Sequence, residues 1–334
     1  MWQCPICEEK HESLCVCTRC GFDGSCDYET FATAFAVTGA RSICALQKEW
    51  QKKQGPQTAQ EWYQKAQKEN DMASYTKAAE LGYAPAQVYL GVCYYCGRNV
   101  ERNHAQAVKW YHKAAEQGNA QALNNLGYCY SRGHGVRQNF TQAAECYQRA
   151  AEQGDMLAQY NLAYCYERGE GVELNYIQAA KWYRDAAEQG HKWAQYNLGY
   201  CYEFGQGVEK DHAQAVKWYY KAAEQGHAWA QYNLGYCYEH GRGIERNDIQ
   251  AVEWYKKAAR QGNAAAQNSL GECYYYGKGI KQNYVEAATW YRRAAEQGDK
   301  DAQGSLSRCY RRGKGVAMDW AQAKYWANRA ESIS

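Results

Sequence analysis

The residues best suited to chemistry are four cysteines near the N-terminus, arranged as two CxxC pairs in the stretch CPICEEKHESLCVCTRCGFD. Two such pairs can supply four thiolates to a tetrahedral zinc ion, and a short intervening hairpin would bring both pairs to the same ion. Four thiolates leave no position for water or substrate, so such an ion would be structural. The sequence therefore predicts a structural zinc site whose ligands are Cys4, Cys7, Cys17 and Cys20.

Two nearby residues, His11 and Cys15, could replace one of these ligands, which leaves the exact set open. A pair of redox-active dithiols is the alternative, but it would need a strand and a helix around each CxxC. The segment resembles a zinc ribbon, whose knuckles read CPxCG and CxxCG. The second knuckle is kept as CTRCG, whereas Glu8 replaces the glycine of the first.

The rest of the chain shows no catalytic pattern. No stretch matches a phosphate loop, a nucleophile elbow or a metalloprotease helix. The recurring GxG lacks the third glycine and the preceding strand of a dinucleotide-binding fingerprint. We therefore predict that the protein is not an enzyme.

Composition excludes several further classes. The 39 Lys and Arg residues nearly balance the 36 Asp and Glu residues, so the chain as a whole has no affinity for phosphate backbones or anionic membranes. No apolar run approaches the roughly 20 residues that span a bilayer, and the N-terminus lacks the pattern of a signal peptide. These features lead us to expect a cytoplasmic protein without membrane contact.

The elements that follow the cysteines are set by an internal repeat. The segment WAQYNLGYCYE occurs at residues 193–203 and again at 229–239. Seven blocks of 36 residues, numbered here as repeats 1 to 7, begin at residues 83, 119, 155, 191, 227, 263 and 299. Each repeat carries one cysteine at the same place: Cys93, Cys129, Cys165, Cys201, Cys237, Cys273 and Cys309.

The sequence of each repeat predicts two short helices. In repeat 4, Ala194, Leu198 and Cys201 fall on one face of the first helix, helix A, which Gly205 should end. The second helix, helix B, should begin at an N-cap followed three residues later by Gln or Glu, forming a reciprocal capping box. Trp218 is expected to fill the space between the helices. The predicted N-caps are Asn103, Asn139, Asn175, Asp211, Asn247, Asn283 and Asp319.

This pattern, written A…LG…Y…GxGV…A…WY…AAxQG, resembles the Sel-one-like repeat, a relative of the tetratricopeptide repeat, over about three quarters of the chain. The resemblance implies an all-α fold, a right-handed α-solenoid with helix A on its concave side, and work as an adaptor between proteins. We predict a zinc ribbon at 1–27, a helical linker and N-terminal cap at 28–82, and seven repeats at 83–334.

If the geometry of the family holds, the groove is rich in tyrosine. We expect it to bind an extended or helical segment of a partner protein that carries basic or aromatic residues, with asparagines holding the backbone of that segment. Packing between repeats is the alternative role for each single tyrosine. The predicted groove residues are Asn125, Tyr128, Tyr160, Asn161, Tyr164, Trp193, Tyr196, Asn197, Tyr200, Trp229, Tyr232, Asn233 and Tyr236.

Three further expectations concern partners and thiols. The periodic cysteines lie on the core face of helix A and should be free thiols. The last helix, with Trp320, Tyr325 and Trp326, has no polar cap after it in the sequence, which favours a homodimer through the C-terminal repeat. The ribbon has no basic patch, so a regulatory subunit that contacts nucleic acid or a second protein through its ribbon remains only the alternative function.

Overall fold

The structure is a computed structural model that describes residues 58–331 and the backbone of two short strands. Strand β1 (Trp2–Gln3) pairs antiparallel with β2 (Lys10–His11), and Trp2 lies opposite His11. In the sequence these strands flank the first predicted CxxC. All four predicted zinc ligands lie outside the described residues: Cys4, Cys7, Cys17 and Cys20.

The chain divides into two compact units, Met1–Asn119 and Ala120–Ser334, with sixteen helices among residues 58–331. The first unit contains α1 (Ala59–Glu69), α2 (Met72–Glu80), α3 (Ala84–Cys96) and α4 (His104–Glu116). The second unit contains α5 (Ala120–Arg132), α6 (Phe140–Ala151), α7 (Met156–Arg168), α8 (Tyr176–Glu188), α9 (Lys192–Phe204), α10 (His212–Glu224), α11 (Ala228–His240), α12 (Asp248–Arg260), α13 (Ala264–Tyr276), α14 (Tyr284–Glu296), α15 (Lys300–Arg312) and α16 (Trp320–Glu331).

From α3 onwards the helices alternate between helix A and helix B of successive repeats, as the sequence predicts. In repeat 4, α9 is helix A and ends at Gly205, which has a left-handed φ of 75° and donates its N–H to the Cys201 carbonyl. Glycine accepts this conformation without the steric cost that a Cβ atom imposes. The predicted stop of helix A is therefore confirmed.

The predicted N-caps of helix B are also confirmed, but the reciprocal half of the capping box is not formed. The Asp211 carboxylate accepts from the backbone N–H groups of Ala213 and Gln214. The backbone N–H of Asp211 donates to the Tyr202 carbonyl at 2.9 Å, so it needs no bond from the Gln214 side chain. The equivalent bond recurs in all seven repeats and fixes the start of helix B to the end of helix A.

A complete capping box occurs only at α1 among the described helices. There the Thr58 hydroxyl accepts from the N–H of Glu61 at 3.2 Å, and the Glu61 carboxylate accepts from the N–H of Thr58 at 3.0 Å. This box begins the part of the predicted N-terminal cap that the structure describes.

The core of each of repeats 1 to 6 contains a buried tyrosine that was not expected there from the sequence. The expectation that Trp218 fills the space between the helices is wrong, because Trp218 is only partly buried and the next residue, Tyr219, is fully buried. Gly199 on helix A makes this possible: a Cβ atom there would lie 2.7 Å from the Tyr219 ring. The other fully buried tyrosines at this place are Tyr183, Tyr255 and Tyr291.

Repeat 7 exchanges both members of this glycine–tyrosine pair. Ser307 stands where Gly199 stands in repeat 4, and Ala327 stands where Tyr219 stands. The Ser307 hydroxyl donates to the Ala323 carbonyl of helix B at 2.7 Å. Ser307 is larger than the glycine it replaces, and Ala327 is smaller than the tyrosine it replaces. The two exchanges offset each other, so the two helices stay in contact.

Neighbouring repeats are joined by a buried glutamine, which is paired with a second glutamine of its own repeat and binds a carbonyl of the preceding repeat. Gln195 is buried and donates to the Ala187 carbonyl at 3.1 Å, while its own side-chain oxygen accepts from Gln225 at 2.8 Å. These bonds were not expected from the sequence, although the buried glutamine recurs at the same place in every repeat except repeat 2, which has Leu123. The same glutamine pairing occurs at Gln87–Gln117, Gln159–Gln189, Gln231–Gln261 and Gln267–Gln297.

In repeats 3 to 7 the second glycine of the loop after helix A marks a close approach of backbones. Gly207, with φ 71°, lies against the Tyr176 carbonyl at the start of helix B in the preceding repeat, where a Cβ atom would clash. Asn99 replaces this glycine in repeat 1 and keeps the left-handed φ at 61°. None of the helices in the described part of the chain is both long and apolar enough to cross a membrane.

Candidate partner-binding face

Seven tyrosines of the predicted groove lie on four successive A helices of the second unit, and we call them the tyrosine face. They form two rows, because residues four apart on a helix lie on one side of it. The inner row is Tyr160, Tyr196 and Tyr232; the outer row is Tyr128, Tyr164, Tyr200 and Tyr236.

The inner row is partly buried. The Tyr196 ring lies 5.9 Å from that of the core residue Tyr219 and 4.7 Å from that of His227, measured between centroids. Tyr160 has the equivalent contacts with Tyr183 and His191. These rings contribute to packing between repeats as well as to the surface.

The outer row is more open. Tyr128, Tyr164 and Tyr200 are each exposed by more than a third of their surface. Two of these rings hold a cation from their own helix: the guanidinium of Arg132 lies 5.7 Å from the centroid of Tyr128, and that of Arg168 lies 5.3 Å from the centroid of Tyr164. The outer row is therefore able to accept cations on its ring faces.

Two tryptophans extend the face. Trp193 and Trp229 are each about half exposed, at 47% and 49%. The Trp193 ring meets His227 edge to face at a centroid distance of 4.2 Å, and Trp229 meets Tyr232 in the same way at 6.1 Å. Large aromatic surfaces held in place by neighbours are characteristic of interaction sites.

The predicted groove asparagines already have neighbours of their own. The Asn161 amide donates to the Asn124 side chain at 2.9 Å. Asn197 and Asn233 lie beside the hydroxyls of Tyr183 and Tyr219, whose pKa values they act to lower. Asn125, the remaining predicted asparagine, is partly buried on α5.

Three carboxylates at the ends of the A helices bind the core tyrosines. The hydroxyls of Tyr183 and Tyr219 donate to Glu167 and Glu203 at 2.6 Å. Tyr255 donates in the same way to Glu239 at 2.8 Å. Burial raises the pKa of all three tyrosines well above their ordinary value, and the adjacent carboxylate raises it further. The three tyrosine hydroxyls therefore remain protonated and act as hydrogen-bond donors. The sequence did not predict these tyrosine–glutamate pairs.

Two of these carboxylates also face a cation from the next repeat. Arg242 lies 3.9 Å from the second oxygen of Glu203, and Lys278 lies 3.1 Å from that of Glu239. Arg242 and Lys278 occupy equivalent positions, each between the two loop glycines that follow helix A. At the equivalent position beside Glu167 the chain carries Gln206.

Two histidines cap A helices next to the inner row. His191 Nδ1 accepts from the N–H of Ala194, and His227 Nδ1 accepts from that of Ala230. Burial and, to a smaller extent, Lys192 lower the pKa of His227 to about 4, and both causes also lower the pKa of His191. At neutral pH both histidines are therefore uncharged helix caps.

The periodic cysteines are buried free thiols, as predicted. Burial raises the pKa of Cys201 to about 12 and that of Cys129 to about 11, so neither forms a thiolate at neutral pH. Within residues 58–331 no group of three or more His, Cys, Asp or Glu residues is placed to hold a metal ion.

In the second unit, pairs of antiparallel helices are each joined to the next pair by side chains, and this arrangement defines an α-solenoid repeat protein. The Sel1 repeat family, which is the Sel-one-like repeat of the sequence analysis, covers well over half of the chain, and the chain belongs to this family. Proteins of this family are generally interaction scaffolds without catalytic activity. The eight matching segments are residues 50–71, 84–119, 120–155, 157–191, 194–227, 230–263, 264–299 and 300–332.

The solved structures that are similar to this chain include two crystal structures of repeat proteins. One is c5321, a protective antigen present in uropathogenic Escherichia coli strains and displaying an SLR fold, with a TM-score of 0.77 and 35% identity over 85% of this chain. The match spans only 63% of the length of that protein. The other is a Sel1 repeat protein from Oxalobacter formigenes, with a TM-score of 0.66 and 33% identity over 74% of this chain and 97% of that one. No curated protein matches the sequence.

Proposed function

We propose that the protein is a non-enzymatic adaptor whose tyrosine face binds a segment of a partner protein. The observation that supports this most strongly is a difference between two sets of positions within the repeats. Two packing positions are the same in every repeat: the helix A leucine is present in all seven, from Leu90 to Leu306, and so is the periodic cysteine.

The positions of the tyrosine face vary between repeats instead. The inner tyrosine occurs only in repeats 3 to 5; Asn124 and Asn268 take its place in the flanking repeats 2 and 6. The outer tyrosine occurs in repeats 2 to 5 and gives way to Glu272 and Arg308. Rings that served packing alone would be expected to recur as the helix A leucine and the periodic cysteine do. Their restriction to the middle repeats supports a binding role.

The dimensions of the face suit a segment of about twelve residues. Packed helices lie about 8–10 Å apart and an extended chain advances about 3.3 Å per residue, so each repeat meets roughly three residues. Four repeats carry the outer row. Exposed tyrosine and tryptophan rings supply apolar contact area together with hydrogen-bonding groups, and such rings dominate the energy of many interfaces.

The test is selection of random twelve-residue peptides, displayed on phage, by the full-length protein. A variant with Tyr164, Tyr200, Trp193 and Trp229 changed to Ala should lose the selected peptides, because these exposed rings form the face. The control variant, Tyr176→Ala with Tyr220→Ala, removes two exposed tyrosines from helices B and should retain them. Equal binding by both variants would place the binding surface elsewhere.

The inner row is less suitable for this test than the sequence alone indicated. Because Tyr196 packs on Tyr219 and His227, replacing the inner row by Ala would also remove contacts within the second unit. The loss of a buried aromatic side chain costs about 3–5 kcal/mol at fully buried positions. Loss of binding by such a variant would not separate the two effects.

We also propose that Cys4, Cys7, Cys17 and Cys20 hold one structural zinc ion in a ribbon. The support is the spacing of the two CxxC pairs in the sequence. Purified protein should contain one equivalent of zinc by elemental analysis, and Cys17→Ser combined with Cys20→Ser should abolish it. Cys26→Ser is the control, because Cys26 lies outside both pairs. Retention of zinc by the double variant would contradict the assignment.

We also propose a cytoplasmic location, for which the support is the sequence alone. A homodimer through the C-terminal repeat is a further proposal. Trp320 and Tyr325 on α16 are exposed, whereas Trp326 is buried. Light scattering at micromolar concentration should report a dimer that Trp320→Ser converts to a monomer.

The alternative role of the ribbon on nucleic acid has no supporting feature within residues 58–331.

A further inference from the structure

We infer that Glu167 forms a slot for one lysine or arginine side chain of the bound segment; this inference rests on the proposed function and specifies the chemistry of the partner. The slot is defined by Glu167 on α7, by Tyr183, which binds its carboxylate, and by Gln206 in the loop after α9. It lies at the end of the helix that carries Tyr160 and Tyr164 of the tyrosine face.

The chain itself shows how a cation fits such a slot. Glu203 and Glu239 each use one oxygen, Oε2, to accept from the core tyrosine and direct the other, Oε1, toward the cation of the next repeat. At Glu239 the Lys278 ammonium approaches to 3.1 Å, close enough for a hydrogen bond. The two slots therefore have the same layout: a tyrosine hydroxyl on one oxygen and an ammonium or guanidinium on the other.

Glu167 has the first half of this arrangement and lacks the second. Its Oε2 accepts from Tyr183 at 2.6 Å, as in the other two slots. Among residues 58–331 no lysine or arginine forms an ion pair with Glu167, since the equivalent position holds the neutral Gln206. The nearest basic residue in sequence, Arg168, lies over the ring of Tyr164.

A partly buried carboxylate without a cation is electrostatically costly, and its surroundings favour a positive charge from outside. Burial raises the pKa of both Tyr160 and Tyr196, and the Glu167 charge adds to this rise, so the charge acts on the inner row of the tyrosine face. A basic side chain entering here would meet a carboxylate already held in position by Tyr183. Hydrogen bonds to a charged group in such a site contribute about 1.5–3 kcal/mol, or roughly a tenfold to hundredfold change in affinity.

The test uses the phage-selected peptides, remade with a fluorescent label, and measures their affinity by anisotropy. The peptides should share a lysine or arginine at one aligned position. Glu167→Gln should weaken binding of such a peptide about tenfold, and should have no effect on the same peptide with its basic residue changed to Gln. Gln206→Lys, which supplies the cation that Lys278 supplies in the later slot, should weaken binding in the same way. Arg242→Gln, which opens the slot at Glu203, should instead leave the binding intact or strengthen it.

The outcomes separate this inference from the function on which it rests. If the variant of the exposed rings loses the peptides while Glu167→Gln and Gln206→Lys bind them as tightly as the unchanged protein, the slot is refuted and the adaptor function stands. If peptides are selected without any shared basic residue, the slot is likewise refuted. If the variant of the exposed rings keeps the peptides, or none is selected, both proposals fail.

Discussion

The ring of His227 is stacked on that of Tyr196, with the two centroids 4.7 Å apart. His227 begins helix A of repeat 5, whereas Tyr196 belongs to the tyrosine face of repeat 4. A residue that caps a helix thus also supports a residue of the binding face. The stability of the repeats and the position of the ring are coupled through this contact.

The first prediction concerns pH. His227 is 3% exposed, its Nδ1 accepts the N–H of Ala230, and burial lowers its pKa to about 4 from the ordinary 6.5. Below about pH 6.5 the unfolded chain takes up a proton on this histidine, whereas the folded chain does not until about pH 4, so the free energy of unfolding falls across this window. From pH 7.5 to pH 5 the loss through this residue should be about 2 kcal/mol.

His227→Asn is the matched variant for this prediction. Asn263 caps the equivalent helix of repeat 6 through the same bond and does not titrate. Urea unfolding at pH 7.5 and pH 5 should show a smaller decline for the variant than for the unchanged protein. Equal declines in the free energy of unfolding would mean that protonation of His227 does not cause the loss of stability.

The second prediction compares two glycines with left-handed backbone. Gly207→Ala should lower the free energy of unfolding by more than about 3 kcal/mol, because the new methyl group meets the Tyr176 carbonyl as well as the strain of its own φ. Gly190, with φ 98°, has open space around it, so Gly190→Ala should cost only about 1–2 kcal/mol. Thermal unfolding measures both, and a similar cost at the two positions would disprove the backbone contact.

The third prediction concerns the tyrosine–glutamate pairs. Tyr219→Phe removes the hydroxyl that binds Glu203 at 2.6 Å and leaves a buried carboxylate oxygen without that donor. The expected loss of stability is about 1–3 kcal/mol. Tyr220→Phe alters the adjacent exposed residue and should change stability by less than about 0.5 kcal/mol. Chemical denaturation of the two variants under identical conditions provides the comparison.

The fourth prediction concerns thiol reactivity. Cys93 and Cys96 lie on the same helix, but Cys93 is buried, which raises its pKa, whereas Cys96 is exposed. Brief treatment of the native protein with iodoacetamide, followed by peptide mass spectrometry, should label Cys96 and leave the periodic cysteines unmodified. In urea all nine cysteines of residues 58–331 should react. Native labelling of Cys201 or Cys237 would show that the repeats open readily.

The sequence was sufficient to predict the helices, their caps and the free thiols, because each of these follows from local residues repeated seven times. The sequence could not show whether Trp218 or Tyr219 is the core residue, because this depends on Gly199, which lies twenty positions earlier on another helix. The second half of the capping box failed for a related reason: the Tyr202 carbonyl, a tertiary neighbour, takes the N–H that the Gln214 side chain would otherwise satisfy.

The binding face could be predicted in part. Its tyrosines stand out by type and spacing, yet only the structure separates the outer row, which is open, from the inner row, which packs on core rings. The difference between Glu167 and its two counterparts was also hidden. It depends on residues 39 positions away whose approach to the carboxylate only the fold determines.

The glutamine pairs connect residues 30 positions apart within one repeat, and the buried glutamine of each pair also binds a carbonyl of the preceding repeat, as Gln195 binds Ala187. A genetic duplication or deletion of a 36-residue segment within repeats 3 to 6 would therefore recreate the same bonds at the new junction, whichever residue the segment began with. Unequal recombination within the coding sequence can therefore add or remove whole repeats of the tyrosine face without breaking the bonds between repeats. The length of the binding face can thus evolve separately from the stability of the fold.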